Sequence, residues 1–345
     1  MKAIILGAIG AVLGGILGFV LVKANGLPDV ASDQANNTDW VYNIMFVVTG
    51  AIFGLVTAVL LVAVIRFRAR HGETRDAAPI HGHTGLEIVW TIIPTIIVII
   101  FTGLSWKVLS DNDVATAKGR LAVKITARQF SWGYEFPELK IRPQNVLVVP
   151  VNTPIKLEIV SADVIHGFWV PDWRIGMNAT PGQSNFLSVT PNRIGEFKVV
   201  CTFICGSGHP IMGSDVKSSV IPRIKVVSLA DWTKWRDETL AQQAKDDADP
   251  TKKGVVVFNS NGCAGCHAWT PAGSSGAVGP GLDGVADDAK KAGKPVSEYL
   301  AESIVNPSAY LAPDFPDAMP KNYGTDLSKD DLAALVKALA AGGTQ

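Results

Sequence analysis

Residues 201–212 concentrate sulfur and imidazole groups in a way that suits a soft metal ion. The stretch holds the thiols of Cys201 and Cys205, the imidazole of His209 and the thioether of Met212. Thiolate and thioether ligands suit copper, imidazole is a good further ligand, and a weak axial Met occurs in copper sites. Because two cysteines four apart on one loop can each bridge two metal ions, the stretch predicts a copper site.

Other interpretations of this cysteine pair remain open. Cys201 and Cys205 could form a disulfide or be buried structural thiols, but neither interpretation explains why His209 and Met212 accompany them. A tetrahedral zinc site is a further alternative, although thioether sulfur is not among the usual zinc ligands. Copper is therefore favoured on the residue types alone.

A second motif, Cys263-Ala-Gly-Cys266-His267, has the pattern of covalent c-type haem attachment. In that pattern the two thiols add to the haem vinyl groups and the His becomes the proximal iron ligand. Met319, which is followed by Pro, is the expected sixth ligand, and Met/His ligation favours electron transfer over oxygen binding. A Cys-x-x-Cys alone also suits a redox dithiol or half of a zinc site. The adjacent His and the later Met-Pro favour haem.

Composition sets limits on the chain as a whole. Its 345 residues suggest two or three domains. The formal net charge is zero, so no nucleic-acid partner is expected. All four cysteines belong to the two motifs above, so cysteine pairing does not indicate the redox compartment.

The first third of the chain predicts membrane-spanning helices. Three apolar stretches, 3–22, 43–65 and 87–105, approach or exceed the length of about 20 residues that a bilayer requires. We interpret residues 1–24 as a transmembrane helix or a signal peptide, and residues 40–107 as a transmembrane helical hairpin.

Two further features of these stretches orient the chain. Gly10, Gly14 and Gly18 form a small-residue face for close helix packing, which favours a retained first helix. Arginines at 66–70 place the hairpin loop in the cytoplasm by the positive-inside rule. Everything after about residue 107 is then outside.

Beyond about residue 120 the pattern changes from helix to strand. Short β-rich segments separated by Pro, Gly and Asn turns indicate a sandwich or Greek-key barrel, in which loops at one end carry a site. The predicted strands are 121–126, 145–149, 155–160, 185–189, 196–201 and 219–227. The charged, helix-prone residues 229–252 are predicted to be a linker, and residues 253–345 a separate domain with a closing amphipathic helix.

Residues 201–212 resemble the binuclear copper (CuA) loop of cytochrome c oxidase subunit II. Residues 163–171, Asp-Val-Ile-His-Gly-Phe-Trp-Val-Pro, resemble the segment from which that family takes another histidine. The resemblance covers about residues 40–228 and implies an all-β cupredoxin Greek-key barrel over residues 118–228. The implied ligands of the two copper ions are the side chains of His166, Cys201, Cys205, His209 and Met212 and the backbone carbonyl of Phe203.

The C-terminal motif extends this resemblance. Residues 253–345 are similar to an all-α class I cytochrome c domain with covalent haem c. Together the domains imply subunit II of a caa3-type haem–copper oxidase in a bacterial cytoplasmic membrane, with both redox domains on the periplasmic side. Electrons would pass from an external donor (a cytochrome, a cupredoxin or a quinol-oxidising complex) through haem c and CuA to subunit I, and oxygen reduction there would be coupled to proton translocation. Other membrane subunits are further expected partners.

Two alternative functions remain open. One is the CuA-containing subunit of a nitric oxide reductase, because the substrate would bind to another subunit. The other is a copper-binding module without electron transfer, against which the haem motif argues.

Individual positions carry further expectations. Glu87 is interpreted either as a carboxylate that stabilises a helix N-terminus or, by resemblance, as the entrance of a proton channel. Phe203 replaces a Glu that ligates magnesium in relatives, so we expect no magnesium ligand from this chain there. Phe130 replaces the Trp through which relatives accept electrons from soluble cytochrome c, so we expect the fused haem c to be the donor. Trp132 and Tyr134 are expected in the barrel core.

Overall fold

A computed structural model describes residues 2–24, 28–68, 72, 82–113, 117–206, 209 and 223–342. Among the predicted site residues, Met212 lies outside this set. The chain forms two compact units. One comprises Met1–Asp29 and Gln34–Asn112, and the other comprises Val30–Asp33 and Asp113–Gln345.

The first unit consists of three helices, α1 (Lys2–Lys23), α2 (Asp33–Arg66) and α3 (Thr84–Asn112). All three are long and apolar enough to cross a membrane, which agrees with the predicted spans. Helix α2 begins earlier than predicted because polar side chains join its start to the end of α3. Asn37 Nδ2 donates to Asn112 Oδ1 at 2.9 Å, and Gln34 Nε2 donates to the Asn112 carbonyl at 3.3 Å.

Glycines bring α1 and α2 into backbone contact. A Cβ atom on Gly14 would collide with the carbonyl oxygen of Gly50, and one on Gly54 would collide with that of Gly10. Such close approach is the reason that small residues line interfaces between membrane helices. The glycine repeat of α1 therefore faces α2.

The second unit contains the predicted β-domain. Its strands pair in the orders β3-β2-β1-β5-β8, β10-β6-β7 and β4-β11-β9, with β1/β5 and β4/β11 parallel. Their bounds are β1 Leu121–Arg128, β2 Ser131–Phe136, β3 Ile141–Gln144, β4 Val146–Pro150, β5 Ile155–Ser161, β6 His166–Val170, β7 Ile175–Ala179, β8 Asn185–Val189, β9 Gly195–Lys198, β10 Val200–Cys201 and β11 Arg223–Val227. Buried and half-buried residues alternate along β1 and β2, so one face of each strand supplies the core.

Five of the six predicted strand segments coincide with strands, and the sixth does so over Arg223–Val227, because residues 219–222 lie outside the described set. Strands β2, β3, β6 and β7 were not predicted. Their sequences contain Gly, Pro or polar residues that weaken the strand pattern. Trp132 and Tyr134 on β2 are buried in the barrel core, as expected.

The segment predicted as a linker forms helix α4 (Leu229–Ala248). Ser228 caps it by accepting a hydrogen bond from the Asp231 amide. Trp232 is buried, and its indole N–H donates to the Val148 carbonyl at 3.2 Å. Helix α4 therefore packs on the barrel. The many charged residues of α4 hid, in the sequence, the apolar face that Trp232 and Trp235 form.

The C-terminal domain has a core separate from that of the barrel. Its helices are α5 Pro250–Ser260, α6 Cys263–Cys266, α7 Val285–Lys291, α8 Val296–Val305, α9 Tyr323–Asp326 and α10 Lys329–Gly342, and a ribbon of β12 His267–Trp269 and β13 Ser274–Ala277 follows α6. Helix α10 is the predicted closing helix. It crosses α5 so closely that a Cβ on Gly254 would collide with the carbonyl of Ala334.

Candidate redox sites

Three of the predicted copper ligands, His166, Cys201 and Cys205, come together in the β-domain. His166 begins β6 and Cys201 ends β10, and these strands pair with Cys201 opposite Phe168. Cys205 follows in the loop. The candidate ligand atoms of His166, Cys201 and Cys205 all lie within 4.8 Å of one another, and all three residues are buried.

Asp163 fixes the orientation and the tautomer of His166. The Nε2 atom of His166 lies 2.8 Å from Asp163 Oδ1, so the N–H on Nε2 donates to the carboxylate. The unprotonated Nδ1 atom then faces Cys201 Sγ at 4.0 Å. A carboxylate that holds a ligating imidazole in this way also raises its basicity.

The loop supplies the second half of the site. His209 Nδ1 lies 3.5 Å from Cys205 Sγ, and the Cys201 thiol donates to the Phe203 carbonyl at 3.3 Å. The Phe203 ring is exposed, so only the backbone of this residue faces the sulfur.

The two thiols differ in acidity. Burial opposes ionisation of Cys201, but contact with His166 and hydrogen bonds at Gly167 and Phe203 outweigh it and lower the pKa of this thiol. Burial, together with the neighbouring Cys201 sulfur, raises the pKa of Cys205. Burial likewise opposes ionisation of Asp163, yet hydrogen bonds from His166 and backbone amides hold its pKa below the usual value.

This donor set fits copper. Two free thiols, two imidazoles presented through Nδ1 and one carbonyl combine the soft and intermediate ligands that copper accepts. The buried His166 already has its second nitrogen satisfied, as metal-bound histidines do.

The second candidate site is a cavity of about 570 Å³ in the C-terminal domain. This volume lies within the range of about 300–1,000 Å³ that is usual for cofactor sites. The residues of the haem motif and the expected sixth ligand all line it: Cys263, Cys266, His267 and Met319. The sequence-predicted haem ligands are thus brought together around one apolar space.

The orientation of His267 fits an iron ligand. Its Nδ1 lies 2.8 Å from the Pro280 carbonyl, which can only accept, so Nδ1 carries the proton and Nε2 is the free ligand atom. Burial lowers the pKa of this imidazole, which favours the neutral ring that a metal requires.

A short segment of the barrel lies between the two candidate sites. Gln129 lines the haem cavity, and its side-chain amide donates to the Cys205 carbonyl. Beside it, Phe130 is buried, and a Cβ atom on Gly265 of the haem motif would lie 3.5 Å from its backbone nitrogen. The haem motif therefore lies directly against Phe130.

Polar contacts fix the C-terminal domain against this segment. Arg128 and Asp326 form an ion pair at 3.2 Å, and the guanidinium lies 5.4 Å from the ring centroid of Tyr323. Asn322 Nδ2 donates to the Ala162 carbonyl at 2.7 Å. The sequence motifs did not indicate these contacts. Only the position of Asp163, three residues before His166, was a readable signal of a supporting role.

Glu87 has a local structural partner. Its Oε1 accepts a hydrogen bond from the His83 backbone N–H at 3.1 Å, at the first turn of α3. This contact agrees with the helix-terminus interpretation. The proton-channel interpretation stays a prediction.

Comparison with known families supports the division of the chain. Family models match the transmembrane domain of cytochrome c oxidase subunit II over residues 21–108, the periplasmic domain of that subunit over residues 139–219, and cytochrome c over residues 251–340.

Individual relatives give the same assignment. Cytochrome c oxidase subunit 2 of Alkalihalophilus pseudofirmus is 26% identical over 307 residues, 86% of this chain and 85% of the relative. The Bacillus sp. (strain PS3) protein of the same name is 33% identical over 59% of each chain. Among solved structures, the periplasmic domain of subunit II of cytochrome oxidase (CoxB) of Bradyrhizobium japonicum has 26% identity and a TM-score of 0.31, covering 35% of this chain and 94% of that one.

Proposed function

Because the chain belongs to the cytochrome c oxidase subunit II family and carries a cytochrome c domain behind its copper domain, we propose that it is the electron-accepting subunit of a caa3-type haem–copper oxidase. The observation that carries the proposal is that one compact unit holds both the cluster of His166, Cys201 and Cys205 and the cavity lined by the haem motif and Met319. A copper-storage module would have no use for the cavity.

The proposed cofactors are a pair of copper ions and a covalently bound haem c. His166, Cys201, Cys205, His209 and the Phe203 carbonyl would hold the copper pair, with Met212 as the remaining ligand. Cys263 and Cys266 would attach the haem, and His267 and Met319 would ligate its iron. When bound, each group takes up and releases single electrons. The protein holds the ligands rigidly, through the Asp163–His166 and His267–Pro280 hydrogen bonds, so that little moves when the charge changes.

The proposed electron order is external donor, haem c, copper pair and then a haem of subunit I. There oxygen is reduced, and this reduction is coupled to proton translocation. The chain is a membrane protein with an outer redox domain, and we place it in a bacterial cytoplasmic membrane. Glu87, at the start of α3, is the proposed entrance of a proton channel in subunit I.

A single-turnover experiment on the assembled complex tests this order. A photoexcited ruthenium complex with a sacrificial electron donor reduces haem c in a light pulse, and oxidation of the haem and reduction of the copper are then followed by their absorbance. We expect both signals to change with one rate constant. In a Cys263→Ser/Cys266→Ser variant, which cannot attach haem, soluble cytochrome c should reduce the copper slowly because the fused domain covers Phe130.

Two results would contradict the proposal. One is a copper site in the haem-free variant that soluble cytochrome c reduces as fast as haem c does in the full chain. The other is purification of the chain with a nitric oxide reductase catalytic subunit, which would change the terminal acceptor.

A further inference from the structure

Gln129 is in contact with both candidate redox sites. Its backbone carbonyl lies 3.9 Å from Cys266 Sγ, and the residue lines the haem cavity. Its side-chain amide donates to the carbonyl of Cys205 in the copper loop. We propose that the Gln129 side chain, through its hydrogen bond to the Cys205 carbonyl, carries electrons from haem c to the copper pair. This inference rests on the electron order proposed above.

The backbone of Gln129 is connected to the copper ligands by a second route. Its N–H donates to Asp163 Oδ2 at 2.6 Å, and the other oxygen of that carboxylate accepts the hydrogen bond from His166. Gln129 is therefore hydrogen-bonded to Cys205, a candidate copper ligand, and through Asp163 to His166, another candidate ligand. A displacement of Gln129 would alter both.

The surroundings hold Gln129 in place. A Cβ atom on Gly206 would lie 2.7 Å from Gln129 Nε2 and 3.3 Å from the Phe130 ring, so the copper loop lies directly against both side chains. On the flanks, the Arg128–Asp326 ion pair and the Asn322–Ala162 hydrogen bond join the two domains. The copper loop, the ion pair and the Asn322 hydrogen bond thus all hold the two domains together around Gln129.

The physics of electron transfer favours a path through Gln129. Electronic coupling falls less steeply along covalent and hydrogen bonds than across gaps between atoms. From Cys266 Sγ, a single van der Waals contact reaches the Gln129 carbonyl. Covalent bonds of Gln129 and one hydrogen bond then reach the Cys205 carbonyl, on the same residue as a copper thiolate.

The step moves one electron and no atoms. A bound haem c would supply the electron and a bound copper pair would accept it, so that oxidation and reduction balance. No bond forms or breaks in Gln129, and its amide keeps its protons. The residue needs only to stay in contact at both ends.

The test compares Gln129→Met with the unmodified chain in the complex that carries haem and copper. Met retains the length of the side chain but cannot donate to the Cys205 carbonyl. Gln144→Met is the matched control, because Gln144 Nε2 donates to the carbonyls of Arg142 and Pro143, which precede it on β3. Phe130→Leu measures the competing route through the neighbouring ring. Gln129→Ala serves as a second variant should the Met variant assemble poorly.

Four quantities are measured in each variant. They are the rate of transfer from haem to copper after a light pulse, the two reduction potentials, the copper paramagnetic spectrum, and the haem-to-copper distance by pulsed paramagnetic resonance. We expect Gln129→Met to slow the transfer about tenfold or more, as removal of a positioned contact does. The distance and the potentials should stay as they are, and Gln144→Met and Phe130→Leu should cause smaller changes.

The outcomes separate this inference from the proposed function. Absence of any transfer from haem to copper in the unmodified chain overturns the proposed electron order, and this inference with it. Rapid transfer in the unmodified chain with an equal rate in Gln129→Met overturns the route through the Gln129 side chain and leaves the proposed electron order in place. A slower rate accompanied by a longer distance also overturns that route, because Gln129 would then only hold the domains together.

Discussion

Arg128 on β1 and Asp326 on α9 form an ion pair at 3.2 Å that joins the barrel to the cytochrome c domain. The Arg128 side chain is 11% exposed and that of Asp326 is 32% exposed, so solvent screens the pair only in part. The pair lies beside Gln129, the residue in contact with both redox sites. Its strength therefore bears on how firmly the haem is held near the copper.

We predict that Arg128→Met weakens the association of the two domains. The coupling energy of Arg128 with Asp326 should be about 1–2 kcal/mol, between the values for exposed and for buried ion pairs. A double-mutant cycle with Asp326→Asn, measured by denaturant unfolding followed through the haem absorbance, gives this energy. Lys225→Met, which removes an exposed ion pair with Glu196 between two strands of the barrel, is the control. A coupling energy near zero would show that the pair does not hold the domains.

The same pair shows why part of the structure could not be predicted from the sequence. Cys201, Cys205 and His166 were predictable because few residue types bind copper and their spacing is local. Arg128 and Asp326 are 198 positions apart, and neither belongs to a motif. Their contact depends on how two folded domains dock.

Local sequence patterns also limit which helices and strands can be predicted. Segments rich in strand-forming residues were predicted, whereas β6, which begins with the candidate ligand His166 and Gly167, was missed. Helix α4 was interpreted as a linker because charges dominate its sequence, although Trp232 is buried against the barrel. In each case a tertiary contact determined the element.

A second prediction concerns Asp163. An Asn side chain has one acceptor oxygen and one amide donor, so Asp163→Asn cannot accept from both His166 and the Gln129 amide, as the carboxylate does. Removal of such a partner lowers metal affinity by about 10–100-fold. Copper titration of the purified chain, with the copper paramagnetic spectrum, measures the loss. Glu196→Gln, which affects a carboxylate within the barrel, should bind copper normally. An Asp163→Asn chain with unchanged affinity would refute the role of the carboxylate.

A third prediction concerns Met319, which lines the haem cavity. Met319→Leu should lower the reduction potential of haem c, because thioether ligation raises the potential of a His-ligated iron. The ferrous haem should also bind carbon monoxide through the vacated position. Redox titration and the carbon monoxide difference spectrum test both effects. Met177→Leu, at a methionine packed against the barrel core, is the control. An unchanged potential would require another sixth ligand.

The last prediction concerns the first helix. At Gly14 a Cβ atom would collide with the Gly50 backbone, whereas at the neighbouring Gly15 it would lie 3.7 Å from the Ala51 side chain, an ordinary contact. Gly14→Ala should therefore separate α1 from α2, at a cost of about 1–3 kcal/mol typical of overpacking, while Gly15→Ala should be tolerated.

Hydrogen exchange of the α1 amides, measured by mass spectrometry on the detergent-solubilised chain, distinguishes the two variants. Because backbone contact with α2 protects α1, exchange should be faster in Gly14→Ala and unchanged in Gly15→Ala. The intact mass of the unmodified chain should include residues 1–24, since a helix packed in this way is expected to remain in the membrane. A mature chain that lacks these residues would instead identify them as a signal peptide, and equal exchange in the two variants would show that Gly14 does not determine the helix contact.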